Sequence, residues 1–136
     1  MEIQVRKNVL GKNDRLAAEL RKQFAERKIF VINLISSPGA GKTTLLEETC
    51  ARLKDRLRLA VIEGDITTTR DADRIAQHGV PVYQIETQGA CHLDARMLQN
   101  ALEHFNLDEL DLLIIENVGN LVCPATFDLG EDAKIV

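Results

Sequence analysis

Tryptophan is absent from this sequence, and aromatic residues make up only 4% of it, four Phe and one Tyr. So thin a supply of rings argues against a surface built to stack exposed bases. Basic residues are outnumbered, 17 Lys+Arg against 21 Asp+Glu for a formal charge of −4, so no net positive field draws the chain to nucleic acid. No apolar run approaches the ~20 residues that a bilayer-spanning helix requires. The opening Met1-Glu2-Ile3-Gln4-Val5-Arg6-Lys7 lacks the apolar block of a secretory signal. Three cysteines (Cys50, Cys91 and Cys123) are too few for a disulfide scaffold. Repeats, low-complexity tracts and linkers are missing as well. These absences lead to the expectation of a cytoplasmic protein without nucleic-acid or membrane partners, whose thiols serve as core, ligand or reactive groups.

What is present suits one compact domain: 136 residues, of which 45% are hydrophobic and 28% charged. Charge is unevenly spread, with eight basic and four acidic side chains in residues 1–30 and nine and seventeen in the remainder. The basic segment reads as a solvated helix face. In residues 13–27, Leu16, Ala17, Leu20 and Phe24 fall on one helical face, predicting an amphipathic lead-in helix. We therefore divide the chain into an N-terminal basic amphipathic helix, 1–28, and a main domain, 29–136.

Phe30-Val31-Ile32-Asn33-Leu34-Ile35 reads as a buried parallel strand, and Leu59–Ile62, Val82–Ile85 and Leu112–Ile115 as three more. Helices are predicted from Lys42 to about Asp55, over Asp71–His78 and over Leu93–Phe105. Strands alternating with helices imply right-handed crossovers and a three-layer α/β fold with a mostly parallel sheet. The final Ala133-Lys134-Ile135-Val136 reads as the opening of another strand, so the sheet is expected to be incomplete at the C-terminus.

Ser36-Ser37-Pro38-Gly39-Ala40-Gly41-Lys42-Thr43 follows the first strand and opens a helix. It matches the phosphate-loop pattern G-x-x-x-x-G-K-[ST] except for Ser36 at its first position. Glycine lets backbone N–H groups converge on phosphate oxygens, and the helix N-terminus adds its positive dipole end. Residues Ser37 to Thr44 are the expected nucleotide cradle, Lys42 reaching the β/γ-phosphates and Thr43 a magnesium ion. Two strands end in carboxylates, in Glu63-Gly64-Asp65 and in Glu116-Asn117-Val118-Gly119. Asp65 and Glu116 are candidates for Mg²⁺, and Gly119, in a D-x-x-G-like segment with Glu for Asp, for sensing the γ-phosphate. Lys42, Thr43, Asp65 and Glu116 form the candidate catalytic set.

Gly89-Ala90-Cys91-His92-Leu93-Asp94 follows the third strand, and Cys123 follows the fourth. Thiolate and imidazole suit Zn²⁺ or Ni²⁺, and the start of the next helix is expected to lower the Cys91 pKa. Adjacent Cys and His carry little weight alone. Their position beyond strand carboxyl ends, where open α/β sheets keep their sites, strengthens the case. Three ligands do not close a structural zinc site, so either one position stays open or a second subunit contributes. Cys50 lies on an apolar helix stripe and reads as core. His78, at a helix C-terminus, and His104, at a stripe margin, need no functional explanation.

Ser36 to Thr44, Glu63-Gly64-Asp65-Ile66, Gly89 to Asp94 and Glu116 to Pro124 together resemble the nickel-incorporation GTPases of hydrogenase maturation, the HypB family, along essentially the whole chain. They resemble the urease accessory G proteins more distantly. The resemblance implies a P-loop GTPase of the SIMIBI class that binds GTP and Mg²⁺, hydrolyses GTP slowly and forms a GTP-dependent homodimer. It implies that Cys91, His92 and Cys123 bind nickel or zinc at the dimer interface. The implied partners are a HypA-type accessory protein, a nickel-binding chaperone and the large subunit of nickel–iron hydrogenase. Two features depart from the family: residues 1–30 hold no Cys or His for the extra N-terminal nickel site of some members. The guanine-reading N-K-x-D motif would lie beyond Val136, so GTP over ATP rests on the resemblance. A small-molecule P-loop kinase is one alternative, although residues 66–136 show no arginine-rich lid. The other is a non-catalytic fragment that binds metal and nucleotide.

Overall fold

Four runs of β-branched and aliphatic residues become the strands of one sheet, and the short C-terminal run becomes the fifth. The computed structural model describes residues 2–38, 41–64 and 70–136. Its strands are β1 (Phe30–Leu34), β2 (Leu59–Glu63), β3 (Val82–Gln84), β4 (Leu112–Glu116) and β5 (Ala133–Ile135). They lie in the order β3-β2-β4-β1-β5, every neighbouring pair parallel, so all carboxyl ends share one edge. Parallel strands covered on both faces need apolar side chains at successive positions. Strand β4 meets this with Leu112, Leu113, Ile114 and Ile115, all buried, before ending in the buried Glu116.

Alternation along the strands separates two cores. Val31, Ala60, Ile62, Leu113 and Ile115 pack beneath α1 (Glu2–Glu26) and α4 (Ala95–Leu102), with Ala17, Leu20, Phe24, Leu98 and Leu102. Leu34, Leu59, Val61, Leu112 and Ile114 face α2 (Lys42–Leu53) and α3 (Arg70–Ala76), where Leu46, Cys50 and Ile75 meet them. Each fully buried Leu or Ile contributes roughly 1.5–3 kcal/mol. The result is the expected three-layer architecture.

Helix α1 ends in a Schellman turn: Lys28 takes φ 57°, Lys28 N–H donates to the Ala25 carbonyl, and Ile29 N–H to that of Phe24. The helix begins at Glu2 and not near residue 13. Val5 and Val9 on the added turns face solvent, so no apolar periodicity announces them. Midway along α1, buried Asn13 donates through Nδ2 to the Asp128 carbonyl at 2.8 Å and accepts from Ala95 N–H at 2.8 Å. Helix α4 is shorter than Leu93–Phe105. Asp94 caps it by accepting from Met97 N–H at 2.8 Å. Its far end tightens, as His104 and Phe105 bond the carbonyls three residues back. Helix α3 ends at Ala76, which leaves His78 in the turn that follows. A last short helix, α5, spans Cys123–Thr126 with Pro124 in its first turn. Among the described residues, no helix is long and apolar enough to cross a membrane.

Candidate functional site: a phosphate loop and a thiol–imidazole cluster on one sheet edge

The chain leaves β1 at Leu34, and Ile35 N–H still bonds the Ile135 carbonyl of β5 at 2.8 Å. Ser36 is half-buried, and Ser37 and Pro38 are exposed. Gly41 then takes φ 90°, a left-handed conformation that costs other residues energy, and accepts the first helical bond from Leu45 N–H. Lys42 opens α2 and is buried, Thr43 is half-buried, and Thr44 is exposed. The helix N-terminus beside a lysine presents positive partial charge where an anion would sit. Gly39, Ala40 and Asp65 lie outside the described residues.

Glu116 ends β4, pairs in register with Leu34 of β1, and is 1% exposed. On its other side it pairs with Glu63 of β2, which is 2% exposed. The strand alternation places both carboxylates on the α2 face of the sheet. Sequence reading singled out Glu116 but assigned no role to Glu63. The signal was present, since Glu63 also closes an apolar strand. Gly119 approaches the phosphate loop so closely that a Cβ there would lie 3.2 Å from Cα and Cγ of Pro38. Only glycine fits without displacing one segment or the other.

Cys91, His92 and Cys123 converge although they come from different crossovers. Their ligand atoms all lie within 4.8 Å of one another, and Cys91 Sγ is 3.6 Å from His92 Nδ1. Two thiolates on one zinc, at about 2.3 Å each, stand at most about 4.6 Å apart, so the spacing is close to that of a bound ion. Cys91 is exposed; His92 and Cys123 are half-buried. The His92 ring stacks on Phe127, a contact with no precursor in the sequence pattern. Beside the cluster, Leu121 and Val122 are exposed.

One expectation is corrected here. The Cys91 thiol is pushed up, not down: the hydrogen bond with the Cys123 thiol is the main cause, followed by desolvation. Cys91 sits three residues before the Asp94 cap, outside the first turn of α4 to which a helix-end effect is confined. Cys50 behaves as read: it is fully buried, and burial, then the Glu63 charge, raises its pKa. His104 stacks on Tyr83 with centroids 4.0 Å apart, a packing role that accounts for it.

A parallel sheet with a Gly-Lys-Thr loop between β1 and α2 defines a P-loop nucleotide-binding domain. Comparison with known proteins agrees. Residues 30–134 match the model of the CobW/HypB/UreG nucleotide-binding domain, and the chain belongs to that family. It is 56% identical over 133 residues to the hydrogenase maturation factor HypB of Escherichia coli, covering 98% of this chain and 46% of that protein. The hydrogenase/urease maturation factor HypB of Helicobacter pylori is 45% identical, covering 99% of this chain and 57% of that one. The chain thus spans about half the length of the curated relatives it matches. In three dimensions it superposes on the crystal structure of Helicobacter pylori HypB in complex with nickel with a TM-score of 0.83 and 46% identity, covering 90% and 58% of the two chains.

Proposed function

We propose that this chain is the nucleotide- and metal-binding part of a GTP-gated nickel metallochaperone for hydrogenase maturation. The observation that carries this reading is the shared edge. The metal-competent cluster follows β3 and β4, the phosphate loop follows β1, and Gly119 touches Pro38 only four residues before Cys123. A segment that contacts the loop at one end and supplies a metal ligand at the other gives the two nucleotide states different metal affinities, as coupling requires.

In this reading Ser37 to Thr44 cradle the phosphates of GTP. Lys42 and the backbone donors of the loop stabilise charge that develops during attack by water. The residues present suit a magnesium ion: Thr43 stands at the start of α2, and the Glu116 carboxylate is buried beside β1. Together with Asp65 they would hold it, and it would neutralise phosphate charge. Nickel, or zinc in its place, is cargo held by Cys91, His92 and Cys123. Three ligands leave room for a donor from a second copy, and exposed Leu121 and Val122 supply apolar surface for a homodimer at that face. A HypA-type accessory protein, a nickel-binding chaperone and the hydrogenase large subunit are the proposed exchange partners, a role supported by relatives named as hydrogenase maturation factors.

The test is a titration of Ni²⁺ or Zn²⁺ into the full-length protein loaded with a non-hydrolysable GTP analogue and, separately, with GDP. Affinity or stoichiometry that differs between the two supports gating. Identical binding curves would overturn it. Cys91→Ala and Cys123→Ala are expected to remove metal uptake and spare nucleotide binding.

A further inference from the structure

We propose that Asn117 is a positioning residue that ties the Cys91–His92 loop to the phosphate-loop strand. Movement of residues 116–119 is thereby delivered to the metal ligands through one side chain. The proposal rests on the functional reading above and adds to it the part that transmits.

Asn117 directly follows β4 and is fully buried. Its backbone N–H donates to the Leu34 carbonyl at 3.0 Å. Its Nδ2 donates to Oδ1 of Asn33 in β1 at 3.0 Å. Its Oδ1 accepts from Leu93 N–H at 3.1 Å and from Val118 N–H at 2.9 Å. Leu93 is the residue after His92, and Asn33 lies three residues before Ser36. The orientation of both amides is fixed by their partners. Two backbone N–H groups face one end of Asn117 and demand the oxygen there. Asn33 turns Nδ2 toward the Glu131 carboxylate at 3.5 Å, which leaves its oxygen for Asn117.

Packing does not call for this amide. Asn33 and Asn117 lie on the α1/α4 face of the sheet, where Val31, Leu113 and Ile115 are apolar. What an amide supplies is one donor and one acceptor on a short, stiff side chain. Aspartate would keep the acceptor for Leu93 and lose the donor to Asn33; alanine would orphan both neighbours. Two residues further on, Gly119 meets Pro38. The stretch 117–119 therefore grips the phosphate loop by its backbone and the metal loop by the Asn117 oxygen. The two halves of one amide have separable duties: Oδ1 holds the ligand loop, and Nδ2 registers it against β1.

The experiment uses the isotope-labelled full-length protein, following the amide resonances of Cys91, His92 and Leu93 with a GTP analogue and with GDP. Ni²⁺ affinity is measured in parallel by competition with a chelator. In the wild type, these amides are expected to shift between the two nucleotides. In Asn117→Ala the shift is lost, nucleotide binding is retained, and Ni²⁺ affinity falls about tenfold, the low end of what losing the support around a metal ligand costs. Asn117→Asp restores Ni²⁺ affinity without restoring the shift, which a merely structural role would not do. Asn33→Ala is the second variant, should the Asn117 substitutions fail to fold, and is expected to lose the shift while keeping Ni²⁺ affinity. Shifts that survive in Asn117→Ala, or in Asn33→Ala, would overturn the proposal. So would wild-type amides that stay fixed while both nucleotides and Ni²⁺ bind. A wild-type chain that binds neither nucleotide nor Ni²⁺ would instead sink the functional reading, and this proposal with it.

Discussion

The imidazole of His92 lies flat against the ring of Phe127, the centroids 3.8 Å apart and the planes inclined by 11°. His92 precedes α4 and Phe127 directly follows α5, so the stack joins the loop that carries the Cys91 thiol to the short helix that carries the Cys123 thiol. An aromatic contact of this kind contributes about 0.5–1.5 kcal/mol and fixes the ring plane. Phe127→Ala is expected to weaken Ni²⁺ or Zn²⁺ binding by about tenfold through loss of that orientation. Phe127→Tyr, which keeps the stack, leaves it unchanged. Chelator competition on both variants checks this, and equal affinities would show that His92 needs no such support.

Lys42 is buried at the mouth of the loop, where no solvated lysine would gain by sitting. In the proposed GTPase, Lys42→Ala is expected to lower GTP hydrolysis about 10²–10³-fold, the usual effect of removing one preorganised donor. Metal uptake at the Cys–His cluster should persist. Phosphate release and equilibrium dialysis with nickel, run on the same preparation, separate the two outcomes.

The three cysteines differ in environment. Cys50 is fully buried with a raised pKa, whereas Cys91 is exposed and Cys123 half-buried. Reaction with a thiol reagent needs access and the thiolate. At alkaline pH, where the raised Cys91 thiol also ionises, a colorimetric thiol assay is expected to give two accessible equivalents and a third only on unfolding, and Ni²⁺ is expected to protect the accessible pair. Three equal rates would remove Cys50 from the core.

Asp111 anchors the turn before β4: Arg58 donates to it from its backbone N–H at 2.8 Å and from its guanidinium at 3.1 and 3.2 Å. The Arg58 side-chain hydrogen bonds, then its backbone N–H, hold the Asp111 carboxyl below the usual carboxylate range. For Asp128, burial pushes the other way, but the Arg21 hydrogen bond and the Gly130 N–H outweigh it and leave the carboxyl lowered as well. A depressed folded-state pKa contributes stability above the unfolded value that is lost as pH falls through the folded one. The melting temperature is therefore expected to decline below about pH 4, near the unfolded carboxylate value. Asp111→Asn should melt lower at neutral pH and show a shallower acid decline.

The main strands were legible because their apolar, β-branched runs are bounded by Gly, Pro and charge, as in Leu112–Ile115. The common edge was legible because the phosphate loop, Cys91-His92 and Cys123 each follow such a run. The pairing of Glu63 with Glu116, the Asn33–Asn117 bond and the His92–Phe127 stack were not. Each depends on which strands become neighbours and in what register, and that is decided by the assembled sheet. The exception is Asn33, a lone amide within an otherwise apolar strand, which local pattern alone makes conspicuous. The first turns of α1 escaped notice for the opposite reason: they have no buried face to reveal them.

The Asn13 clamp bears on the order in which a nascent chain acquires its shape. Helix α1 is made before the strands it covers, yet Asn13 finds Asp128 only 115 residues later. At a synthesis rate of about 5–20 residues per second, that is a wait of roughly 6–23 s. Throughout it, Leu20 and Phe24 lack most of the sheet they will cover, which makes the unfinished polypeptide a natural client for holdase chaperones. Both clamped segments, at Ala95 and Asp128, are joined through Asn13 only once residue 128 has been made.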